Sequence, residues 1–185
     1  MDQNFTKMTF TQSVKDVQEE FGSRKHYSSV ESSGDRFELT TREGSYIETR
    51  DSIYLSSVGE NGWPYMQHRG GPKGFLKIID SSTLGMADYR GNGQYISTGN
   101  FNSTAKAMLF LMDYPTQSRL KIWVETEVVS IKDNEELLKK LVDEEYGASI
   151  QRLLLFHVKA YDWNCNQHIT PRFTPDEFKN LAAMQ

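Results

Sequence analysis

GENGWPYMQHRGGPKGFLKIIDSSTLGMADYRGNGQYISTGN, residues 59–100, contains the turns and return strands of two predicted hairpins. In the first, the apolar run IYLSSV at 53–58 is followed by WPYMQHR at 63–69, with Asn61-Gly62 between them. Asn-Gly between apolar segments is the strongest short-range signal for a hairpin turn. The second hairpin joins FLKIID at 75–80 to LGMADYR around Ser81-Ser82. The stretch therefore predicts antiparallel strands in direct succession.

Each predicted hairpin carries polar side chains into a glycine-rich loop. Glycine has no Cβ, so the backbone of these loops can approach a ligand closely. Cations beside such loops suit a phosphate, because charge-assisted hydrogen bonds to phosphate oxygens are strong. Two solvated loops with ordinary surface charge are the alternative interpretation. The candidate ligand-binding residues are Gln67, His68, Arg69, Lys73, Asp88, Arg90, Asn92 and Gln94.

Composition excludes several classes of protein. The chain has 185 residues, 37% of them hydrophobic and 12% aromatic, which is typical of one globular domain that buries its own core. The net charge of −4 gives no basic field for nucleic acid, and the apolar runs are too short to span a bilayer. A secretion signal is not recognisable at the N-terminus, so we expect a cytoplasmic protein.

Helices are predicted before, between and after the strands. Residues 1–10 have little pattern and are predicted to be loosely structured. Residues 13–21 have the apolar spacing of a helix, and residues 22–35 are predicted to be a polar linker. Thr40 and Glu43 have the spacing of a capping box, which begins a short helix to about residue 50. The single predicted domain thus has a helical N-terminal extension over about 1–50.

Three more strands follow the two hairpins. They are predicted at 107–114, 119–131 and 152–164, with a helix from Asp133 to Tyr146 and a C-terminal helix over about 175–184. Residues 95–106 are ambiguous and allow a helical turn. About seven strands without crossover helices favour an antiparallel barrel over a parallel sheet.

The familiar cofactor and metal motifs are absent from the sequence. Arg69-Gly-Gly-Pro-Lys73-Gly lacks the ending of a Walker loop, and Gly91-x-Gly93 lacks the strand–turn–helix setting of a dinucleotide fingerprint. The four histidines show no ligand spacing, so no metal is predicted. Cys165 is the only cysteine and is interpreted as a packed thiol, whereas Trp63, Trp123 and Trp163 are interpreted as core or interface aromatics.

Four parts of the sequence form a recognisable set: WPYMQHRGGPKGFL, LGMADYRGNGQYISTGN, the strand pair through FLMDY and RLKIWVETEVV, and DWNCNQHITPRF. Together they resemble the pyridoxamine 5′-phosphate oxidase-related FMN-binding proteins. The resemblance covers roughly residues 10–173. It implies a split β-barrel and a homodimer in which FMN is held in a groove shared between the subunits. By position, Gln67, His68 and Arg69 would lie along the flavin, and Arg90, Asn92 and Gln94 would meet the ribityl phosphate.

Two departures from the oxidases themselves limit the implied activity. Pyridoxamine 5′-phosphate oxidases have an Arg-Lys pair in the phosphate loop where this chain has Gly93-Gln94. They also have an arginine-rich C-terminal segment where this chain has DWNCNQHITPRF. The resemblance therefore implies a flavoprotein but not a pyridoxamine phosphate oxidase. Arg69, Lys73 and Arg90 still provide cations for a phosphate.

The C-terminal segment at 162–172 breaks the pattern of the strand before it. Its aromatic and amide side chains suit the wall of a flavin site, and the shared groove implied by the resemblance would place them at the flavin held by the other subunit. A strand end with a buried tryptophan and solvated amides is the alternative. The candidates in this segment are Trp163, Asn164 and Gln167.

The sequence thus predicts an FMN-dependent oxidoreductase of unknown substrate, with NAD(P)H as a possible reductant. The isoalloxazine would do the chemistry, and no side chain is assigned a catalytic role. Two alternatives stay open. One is a barrel that binds or senses flavin or haem without turnover, and the other is an interaction protein with an empty groove.

Overall fold

The computed structural model describes residues 4–32, 34, 36–163 and 166–183. Seven strands carry the fold, and helices precede, interrupt and follow them. In chain order the elements are α1 Phe5–Thr9, α2 Gln12–Glu20, α3 Arg24–Glu31, α4 Thr41–Ile47, β1 Ser52–Val58, β2 Pro64–Gly70, β3 Lys77–Asp80, β4 Thr83–Tyr89, α5 Ile96–Ser103, β5 Lys106–Asp113, β6 Ser118–Val129, α6 Glu135–Leu141, β7 Ile150–Trp163 and α7 Pro175–Ala183.

All seven strands belong to one antiparallel sheet in the order β2-β1-β5-β6-β7-β4-β3. The two predicted hairpins are confirmed. β1 pairs with β2 from Val58 opposite Pro64 to Ser52 opposite Gly70, and β3 pairs with β4 across the Ser81-Ser82 turn. The predicted mainly β, antiparallel architecture is therefore correct.

The sheet curls until its two ends approach each other. β2 is the first strand in the sheet order and β4 is the sixth, so in a flat sheet five strand spacings would separate them by roughly 24 Å. Nevertheless Arg69 Nη1 on β2 lies 2.8 Å from Asp88 Oδ1 on β4. This curl brings side chains from distant parts of the sequence to one end of the sheet.

One main hydrophobic core lies inside the curled sheet. It takes side chains from β1, β4, β5, β6 and β7 together with α4 and the loop before β3. A smaller cluster lies under α6, where Leu141 packs against Ala87 and Leu153. The fully buried large side chains are Phe75, Phe156, Ile47, Ile53, Leu55, Leu76, Leu84, Met86, Leu109, Leu111, Leu120 and Ile122.

The N-terminal region is more ordered than the sequence predicts. Within the stretch predicted to lack structure, Asn4 caps α1 and Phe5 stacks on Trp123 with 5.9 Å between ring centroids. The stretch predicted as a linker contains α3, and Tyr27 on it meets Phe10 edge-on at 5.4 Å. Both predictions are wrong because a few aromatic contacts and ion pairs hold these short polar helices, and local periodicity does not reveal such contacts.

The other helices follow the predicted signals closely. The capping box at Thr40 and Glu43 forms, with both of its hydrogen bonds. The ambiguous residues 95–106 contain α5. The helix predicted to reach Tyr146 ends at Leu141, because Val142 is extended and a separate 3₁₀ turn occupies Glu144–Tyr146. Among the described residues, no helix combines the length and the apolar character needed to cross a membrane.

Candidate functional site

A small polar depression lies where the curled sheet brings β2 and β4 together. It has a volume of about 40 Å³, and the start of α5 and the loop before it form one wall. Strand β7 contributes the other wall. The lining residues are Gln67, Arg69, Asp88, Tyr89, Gly91, Asn92, Gly93, Tyr95, Ile96, Ser97, Thr98 and Gln151.

Two arginines share one buried carboxylate at this depression: Arg69 lines it, and Arg152 contacts the lining residues Asp88 and Thr98. Asp88 is 4% exposed, and its Oδ1 accepts a hydrogen bond from Arg69 Nη1 at 2.8 Å. Its Oδ2 lies 3.2 Å from Arg152 Nε on β7, although that N–H is not aligned to donate. Arg69 Nε is also buried, and it has no hydrogen-bond partner among the residues that the structure describes. The cluster therefore has one net positive charge and more N–H donors than acceptors, which favours an anion.

The N-terminus of α5 faces the same depression. Tyr95 precedes the helix in the left-handed conformation, with φ of 54°, and provides no side-chain cap. Ser97 Oγ donates to Gln67 Oε1 at 3.1 Å, and Arg152 Nη1 donates to Thr98 Oγ1 at 3.1 Å. Because the first backbone N–H groups of a helix have no partner within the helix and carry partial positive charge, this end of α5 adds to the attraction for an anion.

Aromatic side chains border the cluster. The guanidinium of Arg152 lies 5.0 Å from the centre of the Tyr95 ring, and Gln151 Nε2 donates to the Tyr95 hydroxyl at 2.9 Å. Burial raises the pKa of Tyr89, and the nearby Asp143 carboxylate raises it further. Tyr89 is therefore a neutral hydroxyl group near neutral pH and does not cancel the positive charge of the cluster.

The structure brings half of the loop candidates into the depression. Gln67, Arg69, Asp88 and Asn92 line it, and Asn92 Oδ1 accepts from the backbone N–H of Gln94 to shape the loop. The other four candidates lie outside the lining. They are His68, Lys73, Arg90 and Gln94, all of them exposed.

Strand geometry explains why candidates that are adjacent in sequence do not all face the depression. Side chains alternate between the two faces of a strand, so Gln67 and Arg69 point to the depression while His68 points to the opposite face of β2. There its ring meets the Tyr54 ring edge-on at 5.8 Å. Lys73 lies beyond the end of β2 and lines clefts beside Glu48 rather than the depression.

Trp163, the last residue of β7, lies far from the depression. Trp163 Nε1 donates to Glu43 at 2.6 Å, and its ring packs edge-on against Tyr46. Trp163 and Arg152 stand near opposite ends of β7, and the strand between residues 152 and 163 spans roughly 36 Å. Gln167 is exposed in the turn after β7, and Asn164 lies outside the described residues. Trp163 therefore does not reach the depression of its own chain.

An open cleft adjoins the depression at Ile96. It has a volume of about 540 Å³ between the β1–β2 turn and α5. Trp63 lines it and is 74% exposed, so this tryptophan is not a core residue of the single chain. Ile96 also lines the cleft and is 40% exposed, and its neighbour Tyr95 is 51% exposed.

Sequence reasoning did not single out six side chains that line the depression, nor Arg152, which contacts the lining and is 64 positions from Asp88 along the chain. The six are Tyr89, Tyr95, Ile96, Ser97, Thr98 and Gln151. A cation at the start of an otherwise apolar strand was the available signal for Arg152. Among the residues that the structure describes, no group of three or more His, Cys, Asp or Glu side chains is arranged to hold a metal ion.

Comparison with known proteins identifies the fold. No protein-family model matches the sequence, and no curated protein matches it significantly. Among solved structures, a variant of HupZ from Group A Streptococcus is 14% identical, with 68% of this chain and 99% of that chain covered and a TM-score of 0.56. A candidate pyridoxamine 5′-phosphate oxidase from Lactobacillus delbrueckii is 18% identical, with 68% and 93% covered and a TM-score of 0.51.

A third similar structure belongs to the same group. It is a Clostridium acetobutylicum protein of the pyridoxine phosphate oxidase family, related to general stress protein 26 of B. subtilis. It is 14% identical, with 74% of this chain and 94% of that chain covered and a TM-score of 0.52. Identities this low establish the fold and leave activity open. The chain therefore shares the fold of structures from the pyridoxamine 5′-phosphate oxidase family.

Proposed function

We propose that this chain is an FMN-binding oxidoreductase on a split β-barrel and that the depression at Arg69 and Arg152 holds the FMN phosphate. The observation that carries the proposal is the pair of arginines on one buried carboxylate, next to an uncapped helix N-terminus. The sequence resemblance and the shared fold suggest the flavin. The donor set suggests the phosphate end of that flavin.

The residues of the depression fit a phosphate well. A terminal phosphate offers several acceptor oxygens and negative charge, and the cluster offers surplus guanidinium N–H groups with one net positive charge. The buried, unpartnered Nε of Arg69 would gain an acceptor. Ser97 and Thr98 add hydroxyl groups at the start of α5. Lys73 and Arg90 can contribute only long-range attraction from outside the lining.

The size of the depression suggests that one chain supplies only part of the site. About 40 Å³ accommodates a group of roughly phosphate size, whereas the ring system needs the adjoining open cleft of about 540 Å³. β2 is an edge strand, and Trp63 and Met66 on its hairpin are 74% and 59% exposed. Exposed apolar patches beside an edge strand mark interaction surfaces. We therefore propose a homodimer in which a second copy covers the cleft and the flavin ring.

The dimer also offers a role for the C-terminal segment. Trp163 is too far from the depression of its own chain, so it can act on flavin only across the interface. That role, which includes Asn164 and Gln167, remains part of the proposal.

Bound FMN would supply the redox chemistry, accepting or donating an electron pair at the isoalloxazine. The chain would bind and orient it. Arg69 and Arg152 would hold the phosphate, Gln67 would offer an amide along the strand, and the second subunit would exclude water. Asp88 is the only carboxylate in the described lining and is engaged by the two arginines. We therefore assign no side chain a proton-transfer role, and NAD(P)H and a small-molecule substrate complete the proposed reaction.

Equilibrium titration tests the proposed cofactor. We expect FMN to bind at one per chain and to bind more tightly than riboflavin or FAD, because only FMN carries a terminal phosphomonoester. Tighter binding of riboflavin or FAD would refute the assignment of the depression. Bleaching of bound FMN by anaerobic NADPH, followed by reoxidation with an acceptor, would support an oxidoreductase. Bound FMN that does not bleach would favour a flavin carrier, and a Soret band after haem addition without flavin binding would favour a haem protein.

A charge on the β2 hairpin tests the proposed dimer. Trp63→Lys places an ammonium at an exposed aromatic position that lines the cleft. We expect a monomer by analytical ultracentrifugation and at least tenfold weaker FMN binding, because the ring would lose its cover. Phe178→Lys on α7 is the control, since Phe178 is also an exposed apolar residue but lies on another element. A Trp63→Lys dimer with unchanged FMN affinity would contradict the shared site.

A further inference from the structure

A second cavity lies between the N-terminal helices and the outer face of the sheet. Its volume is about 570 Å³, and it shares no lining residue with the depression or the adjoining cleft. Helices α1, α2 and α3 provide one side, and β6 and the end of β7 provide the other. A volume of this size is typical of small-molecule sites.

Aromatic rings form much of the cavity wall. Phe5 stacks on Trp123 at 5.9 Å with 21° between the ring planes, and Phe10 meets Phe5 edge-on at 6.0 Å. Tyr27 and Trp163 also line the space. Rings in these orientations present both faces and edges, which are the surfaces that a planar aromatic guest contacts favourably. The wall therefore favours a flat aromatic ligand over a flexible aliphatic one.

A mostly buried amide side chain lies in the same wall. Gln18 is 8% exposed, and its Oε1 accepts a hydrogen bond from Arg24 Nη1 at 2.6 Å. Its Nε2 and the indole N–H of Trp123 are two neutral hydrogen-bond donors on residues that line the cavity.

The charges of the cavity favour an acidic ligand. Lys121 Nζ pairs with Asp162 at 3.0 Å, so these two charges balance. Arg36 lines the rim and has no ion-pair partner in the part of the chain that the structure describes. The cavity is therefore locally positive, although the whole chain has a net charge of −4.

We propose that this cavity, between α1–α3 and the sheet, binds a planar aromatic carboxylate, one per chain and separately from the flavin site. The aromatic wall holds the ring system. The Gln18 amide, the Trp123 N–H and the Arg36 guanidinium receive the carboxylate oxygens. The proposal does not depend on FMN binding.

2-Naphthoate is the probe, measured by calorimetry and by quenching of tryptophan emission in a Trp63→Phe background. We expect one saturable site per chain, with an affinity that is the same for FMN-free and FMN-saturated protein. The neutral 2-naphthamide has the same shape without the charge, and we expect it to bind about tenfold more weakly. No saturable binding, displacement of naphthoate by FMN, or equal affinity for the amide and the acid would overturn the proposal.

Substitutions in the wall locate the binding site. Arg36→Gln removes the rim charge and Trp123→Phe keeps a ring without the N–H, and we expect each to weaken naphthoate binding by about tenfold. Arg172→Gln is the matched control, because Arg172 is exposed and lies outside the cavity. Gln18→Leu is a further test if its melting temperature stays near that of the parent. Unchanged affinity in both Arg36→Gln and Trp123→Phe would place naphthoate elsewhere and refute the cavity.

Discussion

Arg152→Met tests the proposed phosphate site most directly, because it removes one guanidinium and keeps an unbranched side chain on β7. In the parent, Arg69 and Arg152 face the single carboxylate of Asp88, which leaves one net positive charge. In the variant, the remaining charges of Arg69 and Asp88 cancel and the cluster has no net charge. A hydrogen bond from a charged group contributes about 1.5–3 kcal/mol, so FMN should bind about ten- to a hundredfold more weakly. Riboflavin has no phosphate, and its affinity should change little.

Fluorescence titration at two salt concentrations measures this effect. The Debye length falls from about 30 Å at 0.01 M salt to about 10 Å at 0.1 M, so added salt should weaken FMN binding to the parent more than to the variant. Lys159→Met is the matched control. Lys159 lies on the same strand, is half-buried and pairs with Glu125 at 2.8 Å, but it is not in the depression.

Two results would refute the assignment of Arg152. Equal losses for FMN and riboflavin would place Arg152 at the ring or make its role structural. Unchanged affinity for FMN would remove it from the site. Arg152→Lys distinguishes charge from geometry, because lysine restores the charge without the guanidinium fork. We expect its FMN affinity to lie between those of the parent and Arg152→Met.

Two further predictions concern stability. A Cβ on Gly71 would lie 2.7 Å from Phe75 Cβ, so Gly71→Ala should destabilise the fold by about 1–3 kcal/mol in urea unfolding. Gly91→Ala, in open space, should have little effect, and equal effects would contradict the packing argument. Burial raises the pKa of Glu43, but hydrogen bonds from the capping box and Trp163 outweigh it and hold that pKa below 4.5. A lowered pKa stabilises the fold above the unfolded pKa, and this stabilisation is lost as the pH falls through the folded pKa. The stability curves of the parent and Glu43→Gln should therefore converge in acid, whereas parallel curves would contradict this role.

Much of the sheet was predictable from local signals. Asn61-Gly62 predicts the first hairpin, and the spacing of Thr40 and Glu43 predicts the start of α4, because both motifs act through neighbouring residues. The order of the strands in the sheet was not predictable in the same way. Helix α3 was missed because its support comes from contacts outside it, including Tyr27 against Phe10. Local polarity alone made that stretch resemble a linker.

The candidate site was only half predictable, because it depends on the curl of the sheet. Arg69 and Asp88 could be proposed from their loops, but nothing local connects either of them to Arg152. Strand alternation, in contrast, was available from the sequence. Applied to β2, it places His68 on the face opposite Gln67 and Arg69, as the structure does.

Asp88 illustrates why residue type alone does not define a role. A carboxylate is a hydrogen-bond acceptor with negative charge, so it repels a phosphate rather than binding it. Two guanidiniums side by side would repel each other, and a buried carboxylate between them offsets that repulsion and fixes their directions. We therefore infer that Asp88 is a positioning residue. It acts on an anion through the two arginines, at the cost of one unit of the positive charge that they would otherwise present.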